Sequence, residues 1–167
     1  MEERSSVIRP VRPEDAVRIA EIYNHYVLNT TVTFEEEPVA PAEMERRIRE
    51  YTATHPWLVR EEEGTVAAYA YATGWRARSA YRWSAELTVY VDQAFLRRGM
   101  GLGLYGELLP CLKALDFKAL VAGIALPNEG SVALHEKLGF KKVAHFEEIG
   151  RKFGCWIDVG YWELKLR

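Results

Sequence analysis

Cysteine is scarce in this chain: only Cys111 and Cys155 occur among 167 residues. Two thiols so spaced make neither a disulfide scaffold nor a metal-ligand pattern. The expectation is a pair of buried thiols in a reducing compartment. The four histidines are scattered, which leaves no recognisable ligand set for a metal. Long apolar runs are missing too, and nothing approaches the roughly 20 residues of a membrane span. The opening MEERSS is acidic and polar, unlike the basic start of a secretory signal. A soluble cytoplasmic protein is therefore expected. Charge of one sign is also lacking, since 22 Lys and Arg stand against 24 Asp and Glu, a formal charge of -2. Without a basic face or an interleaved aromatic platform, nucleic acid is a poor partner.

What remains is an ordinary globular composition, 49% hydrophobic and 28% charged, at a length that suits one domain over residues 1–167. Residues 7–11 read as a short strand. Ala16, Ile19, Ala20, Tyr23 and Val27 then recur at helical spacing up to about Asn29. The stretch NTTVTFEEEP reads as an irregular connection, and Pro41 opens a second helix that ends before Pro56. Residues 57–60 and 65–74 make a hairpin around Gly64, and 82–91 the next strand. A helix over 100–115 shows an apolar face from Leu104, Leu108, Leu112 and Leu115. Pro110 should kink or split it. A strand over 118–125, a helix over 131–138 and strands from Phe140 onward complete a mixed α/β pattern without repeats or linkers.

Glu86 stands out on the otherwise apolar strand that runs toward Arg97-Arg98-Gly99-Met100-Gly101-Leu102. A helix start offers unpaired amide protons, and glycine lets an anion approach the backbone. The plain alternative is a tight turn with solvated arginines, and an exposed strand glutamate. The run is not a Walker A loop, and glycines at 99, 101 and 103 lack the dinucleotide spacing. Further on, Asn128 can cap a helix on which Ser131 and His135 share a face. Capping, surface polarity and a structural histidine are the bland readings of those three.

Together these two segments resemble the cofactor-binding portions of the GNAT superfamily of acyl-CoA-dependent N-acyltransferases. The resemblance implies one mixed-sheet domain, with helices on both faces of a mostly antiparallel sheet. It implies that the backbone of Thr88, Val89, Tyr90 and Val91 runs beside the pantetheine arm of acetyl-CoA. Arg97, Arg98, Gly99, Met100, Gly101 and Leu102 would surround the pyrophosphate, and Asn128 and Ser131 would flank the arm. His135 falls where many relatives carry a tyrosine near the sulfur. The first position of the family's Gln/Arg-x-x-Gly-x-Gly pattern falls on Leu96, which lacks the usual side-chain donor.

The blocks IYNHYV (22–27), TVTFEEEP (31–38), GWRARSAYRWSAELTVYV (74–91), ALPNEGSVALHEKLGF (125–140) and RKFGCWIDVGYWEL (151–164) narrow the match. They resemble the phosphinothricin and methionine sulfoximine N-acetyltransferase family over nearly the whole chain. The resemblance implies acetyl transfer to the α-amine of a small amino acid with a tetrahedral anionic or polar head, in a ternary complex and without metal. Glu86 would be the general base, since an ammonium cannot attack a thioester until it loses a proton. His135 would relay that proton or protonate the thiolate, and an amide near Val89 would face the thioester carbonyl. Arg76, Arg78 and Tyr81 would hold the acceptor, as arginine's fixed donors suit a carboxylate and a phosphinyl or sulfoximine oxygen. Trp75 would support their loop or close the pocket. Phe34 reads as a pocket wall or as core, and Asn24, His25 and Tyr26 as the structural end of the first helix. Lys152, Trp156 and Asp158 are open between pocket lining, a contribution to a partner subunit and plain structure. The family also implies a homodimer. Another amine acceptor is the alternative, and a catalytically silent acetyl-CoA binder is a third reading that Glu86 opposes.

Overall fold

Punctuating residues set the element boundaries in the computed structural model, which describes residues 5–167. The first four residues of the acidic start lie outside the described residues. The chain runs β1 (Ser6–Pro10), α1 (Ala16–Asn29), α2 (Pro41–Thr52), β2 (Trp57–Glu62), β3 (Thr65–Gly74), β4 (Ser84–Val91), α3 (Met100–Ala114), β5 (Ala119–Leu126), α4 (Glu129–Lys137), β6 (Lys141–Lys152) and β7 (Cys155–Lys165). Pro41 opens α2 directly after an extended Ala40, where its missing amide proton is no loss. Glu63 and Gly64 both have positive φ, 52° and 79°, so β2 and β3 join through the two-residue turn that matches strand twist.

The strands form one mixed sheet in the order β1-β2-β3-β4-β5-β7-β6, with helices on both faces, as expected. β4 and β5 pair in parallel, and β7 lies antiparallel to both β5 and β6. Two compact units are present. One comprises the chain up to Tyr23 with Val39–Thr73 and Thr88–Leu115; the other comprises Asn24–Pro38, Gly74–Leu87 and Asp116–Arg167.

In the first unit, α2 and α3 pack on β2. Its core contains an aromatic stack in which Trp57 lies 4.1 Å from Tyr71 and 5.8 Å from Tyr69. α3 is not split at Pro110 but runs unbroken through it. A mid-helix proline costs about 3 kcal/mol, whereas each fully buried leucine contributes about 1.5–3 kcal/mol. Leu104, Leu108 and Leu112 are all fully buried on this helix, so packing wins over the local defect.

In the second unit, α4 packs on β5, and β5 is held by an antiparallel ladder running from Ala119↔Lys165 to Leu126↔Asp158. The expectation of buried thiols is overturned, because Cys111 and Cys155 are both exposed. Cys111 lies at the rim of the buried stripe of α3, and Cys155 opens β7 beside the Phe153–Gly154 turn. Among the described residues, no helix is long and apolar enough to cross a membrane.

Candidate active site

Strand alternation explains the lone acid. Ala85 and Leu87 are buried at 0% and 4% exposure, which turns Glu86 to the opposite face of β4. Glu86 is level with Val121 in the parallel ladder. Gly123 follows on the same face of β5, and the antiparallel ladder sets Tyr161 across from it. A Cβ at Gly123 would lie 3.0 Å from Tyr161 Cε1 and 3.4 Å from Glu86 Oε1. Absence of a side chain at 123 therefore lets the carboxylate and the phenol ring converge. Trp75 meets the Tyr161 ring edge-on at 5.5 Å and Phe146 does so at 5.8 Å. The Arg76 guanidinium sits 4.6 Å over Trp75.

Burial raises the Glu86 pKa above the ordinary carboxylate value, and the Arg76 cation partly offsets this. Burial also raises the Tyr161 phenol, with the Glu86 charge adding to it and Arg76 opposing. A carboxylate lifted in this way is a better acceptor for a proton leaving an ammonium. Sequence reading selected Glu86 and Arg76 but missed Tyr161 and Gly123. The only signal for them was an isolated glycine in an apolar strand, which marks close approach of a neighbour.

Other expected acceptor residues are spread along the same unit. Arg78 and Tyr81 are exposed around the short 3-10 turn Ser79–Tyr81 and face each other at 5.6 Å. Phe34 is 41% exposed, so it is not a core residue. Its ring lies over Gly150 of β6.

On α4, Asn128 does act as the cap, its Oδ1 accepting from the Ser131 amide at 3.1 Å. His135 is 3% exposed and packs edge-on to Phe140 at 5.1 Å. Its Nδ1 is 2.7 Å from the Ser131 carbonyl oxygen and 3.4 Å from Ser131 Oγ. A carbonyl only accepts, so Nδ1 carries the proton. Burial lowers the His135 pKa below its ordinary value, with the Ser131 carbonyl opposing. The neutral ring at pH 7 thus has a proton-accepting Nε2 that has no proton to give.

The first unit holds the remaining group. Gly99 and Arg97 both take positive φ, 70° and 62°. The first backbone bond of α3 runs from the Gly103 amide to the Gly99 carbonyl at 3.0 Å. The amides of Met100, Gly101 and Leu102 therefore occupy the positions a helix leaves without internal acceptors. Arg97 and Arg98 are exposed beside them, Arg98 5.2 Å over the Phe95 ring. Clustered amides with two guanidinium groups fit a multi-oxygen anion such as a diphosphate. Leu96, 44% exposed, adds nothing polar there. Along the second half of β4, Thr88 hydrogen-bonds Tyr71. The Tyr90 ring packs on Tyr23 at 5.2 Å and on Tyr69 at 5.7 Å. Val89 and Val91 are half-buried. Among the described residues, no group of three or more His, Cys, Asp or Glu is arranged to hold a metal ion.

Residues 8–160 match the family model described as Acetyltransferase (GNAT) domain. The chain belongs to the GNAT acetyltransferase family. It is 44% identical over 162 residues to phosphinothricin N-acetyltransferase of Streptomyces viridochromogenes, covering 97% of this chain and 88% of the relative. It is 35% identical over 163 residues to L-methionine sulfoximine/L-methionine sulfone acetyltransferase of Salmonella typhimurium, covering 95% of each. A crystal structure of a GNAT phosphinothricin acetyltransferase from Sinorhizobium meliloti in complex with acetyl-CoA aligns with a TM-score of 0.93. That match has 35% identity and covers 96% of this chain and 88% of that one. The resemblance drawn from the sequence blocks is thereby borne out. This GNAT protein is an acetyl-CoA-dependent enzyme that transfers acetyl to an amine.

Proposed function

We propose that this GNAT enzyme acetylates the α-amine of a small amino acid with a tetrahedral polar head. L-Phosphinothricin, L-methionine sulfoximine and L-methionine sulfone are the acceptors of choice, since similar enzymes carry those names. One observation carries the reading: a half-buried Glu86 whose pKa is raised, converging with Tyr161 over Gly123 under the influence of Arg76. Acetyl-CoA supplies the acetyl group as an activated thioester. Glu86 takes the proton that the acceptor ammonium must lose, directly or through a water. Arg76, with Arg78 and Tyr81, holds the anionic or polar head, while Trp75, Phe146 and Phe34 exclude water around it. The amides of Met100, Gly101 and Leu102, with Arg97 and Arg98, grip the diphosphate. The backbone of residues 88–91, with Asn128 and Ser131, lines the pantetheine arm. His135 accepts or passes a proton through Nε2.

The test is CoA release from acetyl-CoA with the three named acceptors, a set of ordinary amino acids and a short peptide. The expected result is the highest kcat/KM on a named acceptor. Turnover confined to ordinary amino acids or the peptide would overturn the acceptor assignment.

We also infer a homodimer and, from the intracellular supply of acetyl-CoA, a cytoplasmic setting. β6 ends the strand order, and Val143, Phe146, Ile149, Phe153 and Trp156 on the β6–β7 hairpin are 45–60% exposed. An uncovered edge with a large apolar patch favours a partner. Sedimentation of the purified protein should show a dimer, and Trp156→Glu with Phe153→Glu should yield monomer.

A further inference from the structure

Lysine is almost never fully buried unless it is paired, yet Lys152 is 1% exposed. Its Nζ donates to the Thr33 carbonyl oxygen at 2.9 Å and lies 5.0 Å from the Phe153 ring centroid. Burial lowers its pKa, opposed by the charges of Glu36 and Glu35. The next residue along from Thr33 is Phe34, and its ring covers Gly150. A Cβ at Gly150 would come within 2.2 Å of Phe34 Cε2 and 2.4 Å of Cζ. Residues 150 and 152 are alternate positions on β6 and so project to one face. One face of one strand thus grips consecutive residues, the carbonyl of 33 and the ring of 34. Residues 30–40 form no helix or strand, so ladder hydrogen bonds do not hold this segment in place.

We propose that Lys152 and Gly150 form a latch that fixes Phe34 as a wall of the acceptor pocket and so determines which head groups fit. Lys152 ties the backbone, and Gly150 leaves the space the ring needs. Both are positioning residues, acting on the acceptor only through Phe34. The latch rests on the acceptor reading of Phe34 given above.

The test measures kcat and KM for L-phosphinothricin, L-methionine sulfoximine and L-methionine sulfone, alongside KM for acetyl-CoA. The proteins are wild type, Gly150→Ala, Phe34→Ala, their double variant, Lys152→Met and Lys152→Arg, each with its thermal midpoint. Gly150→Ala is expected to raise acceptor KM by about tenfold and to leave the KM for acetyl-CoA at its wild-type value. It should add no further loss in the Phe34→Ala background, because the ring it displaces is gone. Lys152→Met should shift the ranking of the three acceptors, and Lys152→Arg, which keeps a donor for the Thr33 carbonyl, should restore it. Additive effects of Gly150→Ala and Phe34→Ala on both KM and thermal midpoint would overturn the latch. Coupled midpoints with acceptor KM unchanged in Phe34→Ala would instead overturn the acceptor reading on which it rests. Equal rises in KM for acetyl-CoA and acceptor in the Lys152 variants would reduce the lysine to a general packing role and also overturn the proposal.

Discussion

Tyr161 and Glu86 approach the same point above Gly123, with Tyr161 Cε1 3.0 Å and Glu86 Oε1 3.4 Å from where a Cβ would stand. Three strands bring this about: β4 carries the acid, β5 the gap, and β7 the ring. The contact is tight enough that one methyl group would press on the Tyr161 ring and touch the carboxylate beside it.

Gly123→Ala should therefore lower kcat. Overpacking of this kind costs about 1–3 kcal/mol where neighbours cannot move. Here the Tyr161 ring is the neighbour that must yield, and the carboxylate stands in contact beside it. A displacement of reacting groups by a fraction of an ångström lowers the rate by about tenfold or more. Steady-state kinetics, with circular dichroism to verify folding, checks it. Unchanged kcat would remove Tyr161 and Glu86 from a shared site.

Glu86→Gln should lower kcat by about 10²–10⁴-fold and leave acetyl-CoA binding intact in a calorimetric titration. The pH profile of wild type should rise through a limb above the ordinary carboxylate range, because burial lifts the Glu86 pKa. That limb should vanish in the variant.

The same shift has a stability sign. The folded pKa of Glu86 lies above its unfolded value, so ionisation at neutral pH disfavours the fold. Below the unfolded pKa both states are protonated and the penalty is gone. Glu86→Gln should raise the thermal midpoint at pH 7, and the gap should close by about pH 4. A midpoint lowered at pH 7 contradicts the burial argument.

His135 has the opposite sense. Its folded pKa is lowered by burial, so the unfolded chain binds the proton more readily. Stability should fall as pH drops below about 6.5, the unfolded value, and stop falling below the folded pKa. In His135→Asn, whose amide can still donate to the Ser131 carbonyl, that acid-side decline should flatten. Thermal midpoints across the pH series measure it.

At the α3 opening, replacing Arg97 and Arg98 by glutamine should raise the KM for acetyl-CoA and spare acceptor KM. The effect should shrink as salt is added, since exposed charges are screened over about 8 Å at physiological ionic strength. Equal effects at low and high salt would argue against a diphosphate held by these side chains.

Much of this fold was legible because local chemistry and packing agree. Pro41, the Glu63–Gly64 turn and the stripe of Leu104, Leu108 and Leu112 each announce an element that exists. Pro110 misled because its local cost is outweighed by that buried stripe. The cysteines misled because neither composition nor spacing reports which side of an element faces water. Glu86 and the 97–102 turn could be chosen from pattern and family resemblance. Gly123 carried only the faint signal of an isolated strand glycine, and Tyr161 carried none, because their meeting is created by ladder register between strands distant in sequence. The grip of Lys152 on Thr33 was hidden for the same reason, as it joins an irregular segment to a strand far along the chain.

Strand β4 presents the acid from a hydrogen-bonded ladder, while the residues proposed to choose the acceptor sit mostly on 30–40 and 75–83, which carry little regular structure. Such segments can change length and side chains without disturbing the strand. Grafting those two stretches from a relative with another amine preference should thus retarget this scaffold while its chemical step stays in place.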